Sequence, residues 1–173
     1  MSNAWTDVLF RSTDDERGSE RWGTPTVLFD ALDAEFGFVL DLAAGADNSK
    51  CARYLDAGDD SLSVDWAKTL DGLGGAGWLN PPYGRSIYDW IKAAADAGDA
   101  GAVVVVLILA RVDTKWWREQ AERAAEIRLL DGRVHFVRHD GHTGPAPCGS
   151  AVLVFDSKRR RPVYSRTSIP RSD

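Results

Sequence analysis

"AGAVVVVLILA", residues 100–110, is the longest apolar run of the 173-residue chain. From Val103 to Leu109 every side chain is apolar, at odd and even positions alike, so a strand here needs cover on both faces. The run is too short to span a bilayer and reads as the central buried strand of a sheet. Helical patterns lie on either side of it. Residues 86–98, SIYDWIKAAADAG, carry Ile87, Trp90, Ile91 and Ala94 on one side behind a cap at Ser86, and residues 113–126, DTKWWREQAERAAE, read as a further helix. Trp116 and Trp117 there are expected to divide between core and interface.

Further out, TPTVLFDALDAEFG (24–37) predicts a helix capped by Thr24, with Pro25 at its first position and Gly37 as its stop. FGFVLDLAAG (36–45) follows as a short strand ending at Asp41, and SLSVDW (61–66) offers a second short strand. LDGLGGAG (70–77) reads as a loop, and GWLN (77–80) as a strand that dies at two prolines. IRLLDGRVHFV (127–137) and SAVLVFD (150–156) are strands, with RPVYSR (161–166) an edge strand. Strands alternating with helices give an α/β class with a mostly parallel sheet, whose ligands sit beyond the C-terminal strand ends, where Asp41, Asp65 and Asn80 fall.

A composition 44% hydrophobic and 27% charged fits one globular domain, read here as residues 22–173 behind a polar lead of residues 1–21. Cys51 and Cys148 have no metal-ligand spacing, so reduced thiols in a cytoplasmic protein, and no metal, are expected. The net charge of −5 hides a division: residues 1–110 hold 18 acidic and 8 basic side chains, residues 111–173 hold 8 acidic and 13 basic. That split suits a small cationic ligand on one half and phosphates on the other.

The corner itself is Asn80-Pro81-Pro82-Tyr83. Prolines donate no hydrogen bond and leave nearby carbonyls free. The Asn80 side-chain oxygen and the Pro81 carbonyl together can accept both hydrogens of one planar NH₂ group, with Tyr83 stacked on the ring that bears it. An aromatic amine is a poor nucleophile because its lone pair is delocalised. Two fixed acceptors favour the pyramidal nitrogen and stabilise the positive charge it gains on attack. An electrophile as strong as a sulfonium methyl needs no added base.

With its surroundings this stretch resembles the phage-type, Dam-like DNA N6-adenine methyltransferases. The resemblance runs through WGTPTVLFDALDAEFGFVLDLAA (22–44), NSKCARYL (48–55), WLNPPYG (78–84), ARVDTKWW (110–117), LLDGRVHF (129–136) and APCGSAVLVF (146–155), in that order. It implies a Rossmann-like fold with a C-terminal antiparallel hairpin, and S-adenosylmethionine (SAM) as methyl donor. It also implies DNA as partner, entered at a flipped adenine. By the same resemblance, Asp41 lies near the methionine ammonium of SAM with Ala43 small enough for close approach, and Thr24-Pro25 meets the methionine carboxylate. Asp65-Trp66 is the candidate for the adenine end of SAM and Asp60 for its ribose; Phe136 is the candidate stacking surface for the target base. Asn48, Lys50 and Tyr54 either line or brace the same loop. Cys148 departs from the family pattern, which has Phe there. Arg111, Arg133, Arg138, Arg159, Arg160 and Arg161 are candidates for phosphate contact. A monomer or weak homodimer away from membranes is expected. RNA, a protein glutamine, or a non-catalytic binding role remain alternatives to DNA methylation.

Overall fold

The computed structural model describes residues 22–56, 58–138, 141–159 and 163–170. The polar lead, Arg160 and Arg161 lie outside them. The strands are β1 (Trp22–Gly23), β2 (Phe38–Asp41), β3 (Ala76–Leu79), β4 (Val103–Leu109), β5 (Glu126–Asp131), β6 (His135–Arg138), β7 (Thr143–Pro145), β8 (Ser150–Asp156) and β9 (Val163–Ser168). The α-helices are α1 (Thr26–Phe36), α2 (Trp66–Leu73), α3 (Ile87–Asp99) and α4 (Lys115–Glu119). A six-stranded sheet runs β2–β3–β4–β8–β5–β9, and a three-stranded antiparallel sheet runs β1–β6–β7. In the larger sheet β8 alone opposes its neighbours, and β9 forms an edge, parallel to β5. The mostly parallel sheet and the separate β6–β7 hairpin match the expected class.

β4 lies in the interior of the sheet because both its faces are apolar. Val104, Val106 and Ile108 join the core under α2, α3 and α4; Val105, Leu107 and Leu109 join a second core with α1 and the β6–β7 region. Val104 to Ile108 have 0% exposure. Each such side chain contributes about 1.5–3 kcal/mol on burial. Gly98 of α3 lets helix and sheet meet: a Cβ there would stand 2.7 Å from Phe155 Cβ and 3.2 Å from the Phe155 carbonyl carbon. Gly98→Ala is therefore expected to destabilise the protein by about 1–3 kcal/mol, read as a lower urea midpoint at unchanged slope.

Five local expectations are corrected. α1 begins at Thr26 with Pro25 as its N-cap (φ −56°, ψ 133°), whose carbonyl accepts from Leu28 and Phe29; Thr24 lies one residue outside and caps nothing. SLSVDW is not a strand. Ser61–Ser63 is a 3-10 turn entered through Asp60 at φ 45°, the Ser61 hydroxyl donates to the Leu42 carbonyl, and Asp65 caps α2 by accepting from the Lys68 N–H at 3.0 Å. The loop expected from residue 70 is thus helix as far as Leu73, closed by Gly74 at φ 71°. The helix expected over 113–126 ends at Glu119, because the Gln120 backbone breaks (φ −122°) where its side chain donates to the Tyr88 hydroxyl at 2.8 Å. Trp116 and Trp117 are both buried, so neither is an interface residue.

The C-terminal ends of β2, β3 and β4 form one rim. Residues 53–55 flank the outer side of β2, with the Asp41 N–H donating to Arg53 and Leu55 donating back to Asp41, while β3 lies on the inner side. Tyr54 and β3 thus flank the end of β2 on its two sides, at the strand ends where sheets of this class bind ligands. Among the described residues no helix is long and apolar enough to cross a membrane.

Candidate active site

Asn80 stands at the end of β3, half-buried, followed by a buried Pro81, an exposed Pro82 and Tyr83 at 39% exposure. The Asn80 Oδ1 is shut off from solvent and has no hydrogen-bond partner. Buried polar atoms in folded proteins nearly always find a partner, so an orphan acceptor calls for a reason. Burial pushes the Tyr83 hydroxyl up from its ordinary range, against a hydrogen bond with the Leu109 backbone, and Cys148 lies close enough to add to the shift. The hydroxyl is thus tucked toward the end of β4, while the residue as a whole stays exposed.

Asp41 ends β2 at 3% exposure. Its Oδ1 accepts from the Ala43 N–H at 3.3 Å and its Oδ2 from the Lys50 N–H at 3.0 Å. Burial holds the Asp41 carboxyl above the ordinary carboxylate range; those two N–H groups and the Lys50 charge work the other way. Lys50 is itself pushed down by burial and attracted by Asp30 and Asp41. Asp30 belongs to α1, so the first turns of that helix lie beside the Asp41 loop. Asn48 braces the loop by accepting from the Gly45 N–H at 2.7 Å, and Tyr54 forms the bridge to Asp41. Burial pushes the Cys51 thiol up to about 12, which makes it inert at neutral pH.

Two further buried hydroxyls lack partners, Thr24 Oγ1 and Ser150 Oγ. Thr24 precedes α1, whose N-terminus lies at the rim because the helix runs antiparallel to β2 through the Gly37 turn. Ser150 opens β8 opposite Leu109, the last residue of β4. Thr24, Asn80 and Ser150 therefore all fall at the rim where Asp41 ends. Ser150 was not singled out in the sequence. The available signal was a Ser opening the otherwise apolar run SAVLVF, on the face that buries Val152 and Val154.

Other candidates are placed differently. Asp65 is exposed and spends its carboxylate on the α2 cap, while Trp66 is 3% exposed with its indole N–H donating to the Ser61 carbonyl at 2.8 Å. Asp60 is exposed and accepts from the Ser63 hydroxyl at 2.6 Å. Phe136 packs in the second core at 8% exposure, between an exposed His135 and a half-buried Val137. Arg111 follows β4 at the rim. Arg133 lies in the β5–β6 turn and donates to the Ala146 carbonyl at 2.8 Å. The Arg138 side chain lies outside the described residues.

Arg159, another candidate for phosphate contact, lies away from the rim. It follows the far end of β8, about 20 Å from Ser150 at ~3.3 Å per residue, and pairs with Glu126 at 3.1 Å and Asp156 at 3.4 Å. A cleft of about 320 Å³ also opens at that far end, lined by Gly98, Arg123, Phe155, Asp156 and Arg159 among others. Arg123 pairs there with Asp96 and Asp99, so its charges are matched internally. The rim, where charge and orphan polar atoms gather, is the better candidate site.

A family model described as DNA N-6-adenine-methyltransferase (Dam) matches residues 11–173. A putative methyltransferase of Escherichia coli K12, YfdM, is 46% identical over 65 residues, 37% of this chain and 71% of that protein. The DNA N-6-adenine-methyltransferase of Escherichia phage T1 is 28% identical over 169 residues, 86% of this chain and 68% of that protein. That of Haemophilus phage HP1 is 24% identical over 136 residues, 77% of this chain and 75% of that protein.

Proposed function

The chain belongs to the DNA N-6-adenine-methyltransferase (Dam) family, and on that premise we propose that it transfers a methyl group from SAM to the N6 amino group of an adenine flipped out of DNA. The observation that carries the site assignment is the buried, unpartnered Asn80 Oδ1 inside the Asn-Pro-Pro-Tyr corner. An acceptor with nothing to accept from is prepared for a donor that arrives with the substrate.

The residues at the rim fit the donor molecule. The Asp41 carboxylate, backed by Ala43 and Ala44, takes the methionine ammonium; Thr24 Oγ1 and the free N–H groups at the start of α1 take the carboxylate. Asp60 and Asp65 remain candidates for the ribose and adenine, with Asp65 doing so beside its capping bond. Bound there, SAM supplies a methyl group on positively charged sulfur. Asn80 Oδ1 and the Pro81 carbonyl hold the two N6 hydrogens, aim the nitrogen lone pair, and stabilise the positive charge that grows on N6. The Tyr83 ring stacks on the base and offsets part of the cost of unstacking it, a few kcal/mol by the usual scale. Arg111 and Arg133 lie on the strand-end side where phosphates would approach.

Tritiated SAM offered in parallel to duplex DNA, RNA and protein tests the reading. Label is expected in N6-methyladenine from the duplex; label in RNA or protein alone would overturn it. Methylation mapping of DNA from an expressing host then gives the target site.

A further inference from the structure

Ser150 is the orphan that the proposed chemistry leaves unused. Its hydroxyl is buried without a partner in a residue 2% exposed. Along β8 it alternates with Ala151 and shares the face of Val152 and Val154, the face toward α1. Trp78, two residues before Asn80, is on that same side. Ser150 is the Cα partner of Leu109, whose backbone bonds the Tyr83 hydroxyl, and Cys148, two residues earlier, lies near enough to act on that hydroxyl electrostatically. Tyr83 is therefore held between the Asn80 corner and the start of β8.

We infer that Ser150 is a specificity-determining residue whose hydroxyl donates to the ring nitrogen beside the reacting amine of the target base. This rests on the proposed function. A base stacked on Tyr83 with its amine at Asn80 brings two ring nitrogens flanking that amine, N1 and N7 of adenine. Each loses water on entering the site and needs a donor. Asn80 Oδ1 only accepts and the prolines donate nothing, while the Asn80 Nδ2 amide can reach at most one of the two nitrogens. The Ser150 hydroxyl supplies a donor for the other. An acceptor beside a donor matches an amine next to a bare ring nitrogen. It mismatches guanine, which presents a carbonyl oxygen beside a ring N–H.

The test uses duplexes carrying the mapped site with adenine, 1-deazaadenine or 7-deazaadenine at the target position, given to the wild type and to Ser150→Ala. Removing the hydroxyl is expected to lower kcat/KM on adenine by roughly tenfold to a hundredfold, as a lost buried hydrogen bond does. One deaza analogue should cost the wild type a similar factor and cost Ser150→Ala nothing further. Which analogue does so names the nitrogen. Comparing the two enzymes on one analogue cancels any change in the intrinsic reactivity of its amine. SAM affinity of Ser150→Ala, measured by calorimetry, should match the wild type.

Equal activity of variant and wild type overturns the inference. So does an analogue penalty that is the same in both enzymes, or a loss of SAM affinity in step with activity. In each of these cases the wild type still methylates adenine and the proposed function stands. A wild type inactive on every duplex would overturn both.

Discussion

Asn80→Ala is expected to slow methyl transfer by on the order of 10²–10³-fold, the usual cost of removing one fixed polar group aimed at developing charge. SAM affinity should stay within about twofold, since uniform binding is untouched. The free protein gives an independent check. The Asn80 oxygen is buried and unsatisfied, so deleting it removes a cost rather than a bond, and the thermal midpoint should hold or rise. Single-turnover rates, calorimetry with SAM and a melting curve read the three quantities separately. Equal loss of binding and turnover would remove Asn80 from the chemistry and return it to packing.

The second large effect is at Asp41, the end of β2. Asp41→Asn should raise the SAM dissociation constant by on the order of 10²–10³-fold, as when one member of a buried charge pair is neutralised. The pH dependence follows from the direction of its shift. Burial holds the Asp41 carboxyl above its ordinary value, and only the ionised form attracts an ammonium group. Affinity should fall as pH drops through the raised value, sooner than an ordinary carboxylate would allow. In the variant that fall should vanish. A wild-type affinity flat down to the ordinary carboxylate range would exclude Asp41 as the partner.

The parts read correctly from the sequence are those governed by neighbours along the chain. Val103–Leu109 could only be a doubly covered strand, and Gly37 closes α1 where its position implied. The Asn80 corner was legible because two prolines leave few conformations. What escaped depended on distant partners. α2 was hidden by Gly72 and Gly74, although Trp66, Leu70 and Leu73 share one helical face behind Asp65. Trp117 and Phe136 looked available until tertiary packing enclosed them. The place of Arg159 could not be read locally, because β8 carries it to the end opposite the rim, against Glu126. Ser150 acquires meaning only from its register with Leu109.

The position of β8 also has a consequence for how the protein is made. It leaves the ribosome after both β4 and β5, yet it fills the gap between them, bonded along its length to one and along much of its length to the other. Until residue 156 emerges, both neighbours present bare backbone edges ready to pair with another nascent chain. Shortened products ending before this keystone should collect in inclusion bodies, and fusing a reporter ahead of residue 150 should report insolubility rather than a half-built enzyme.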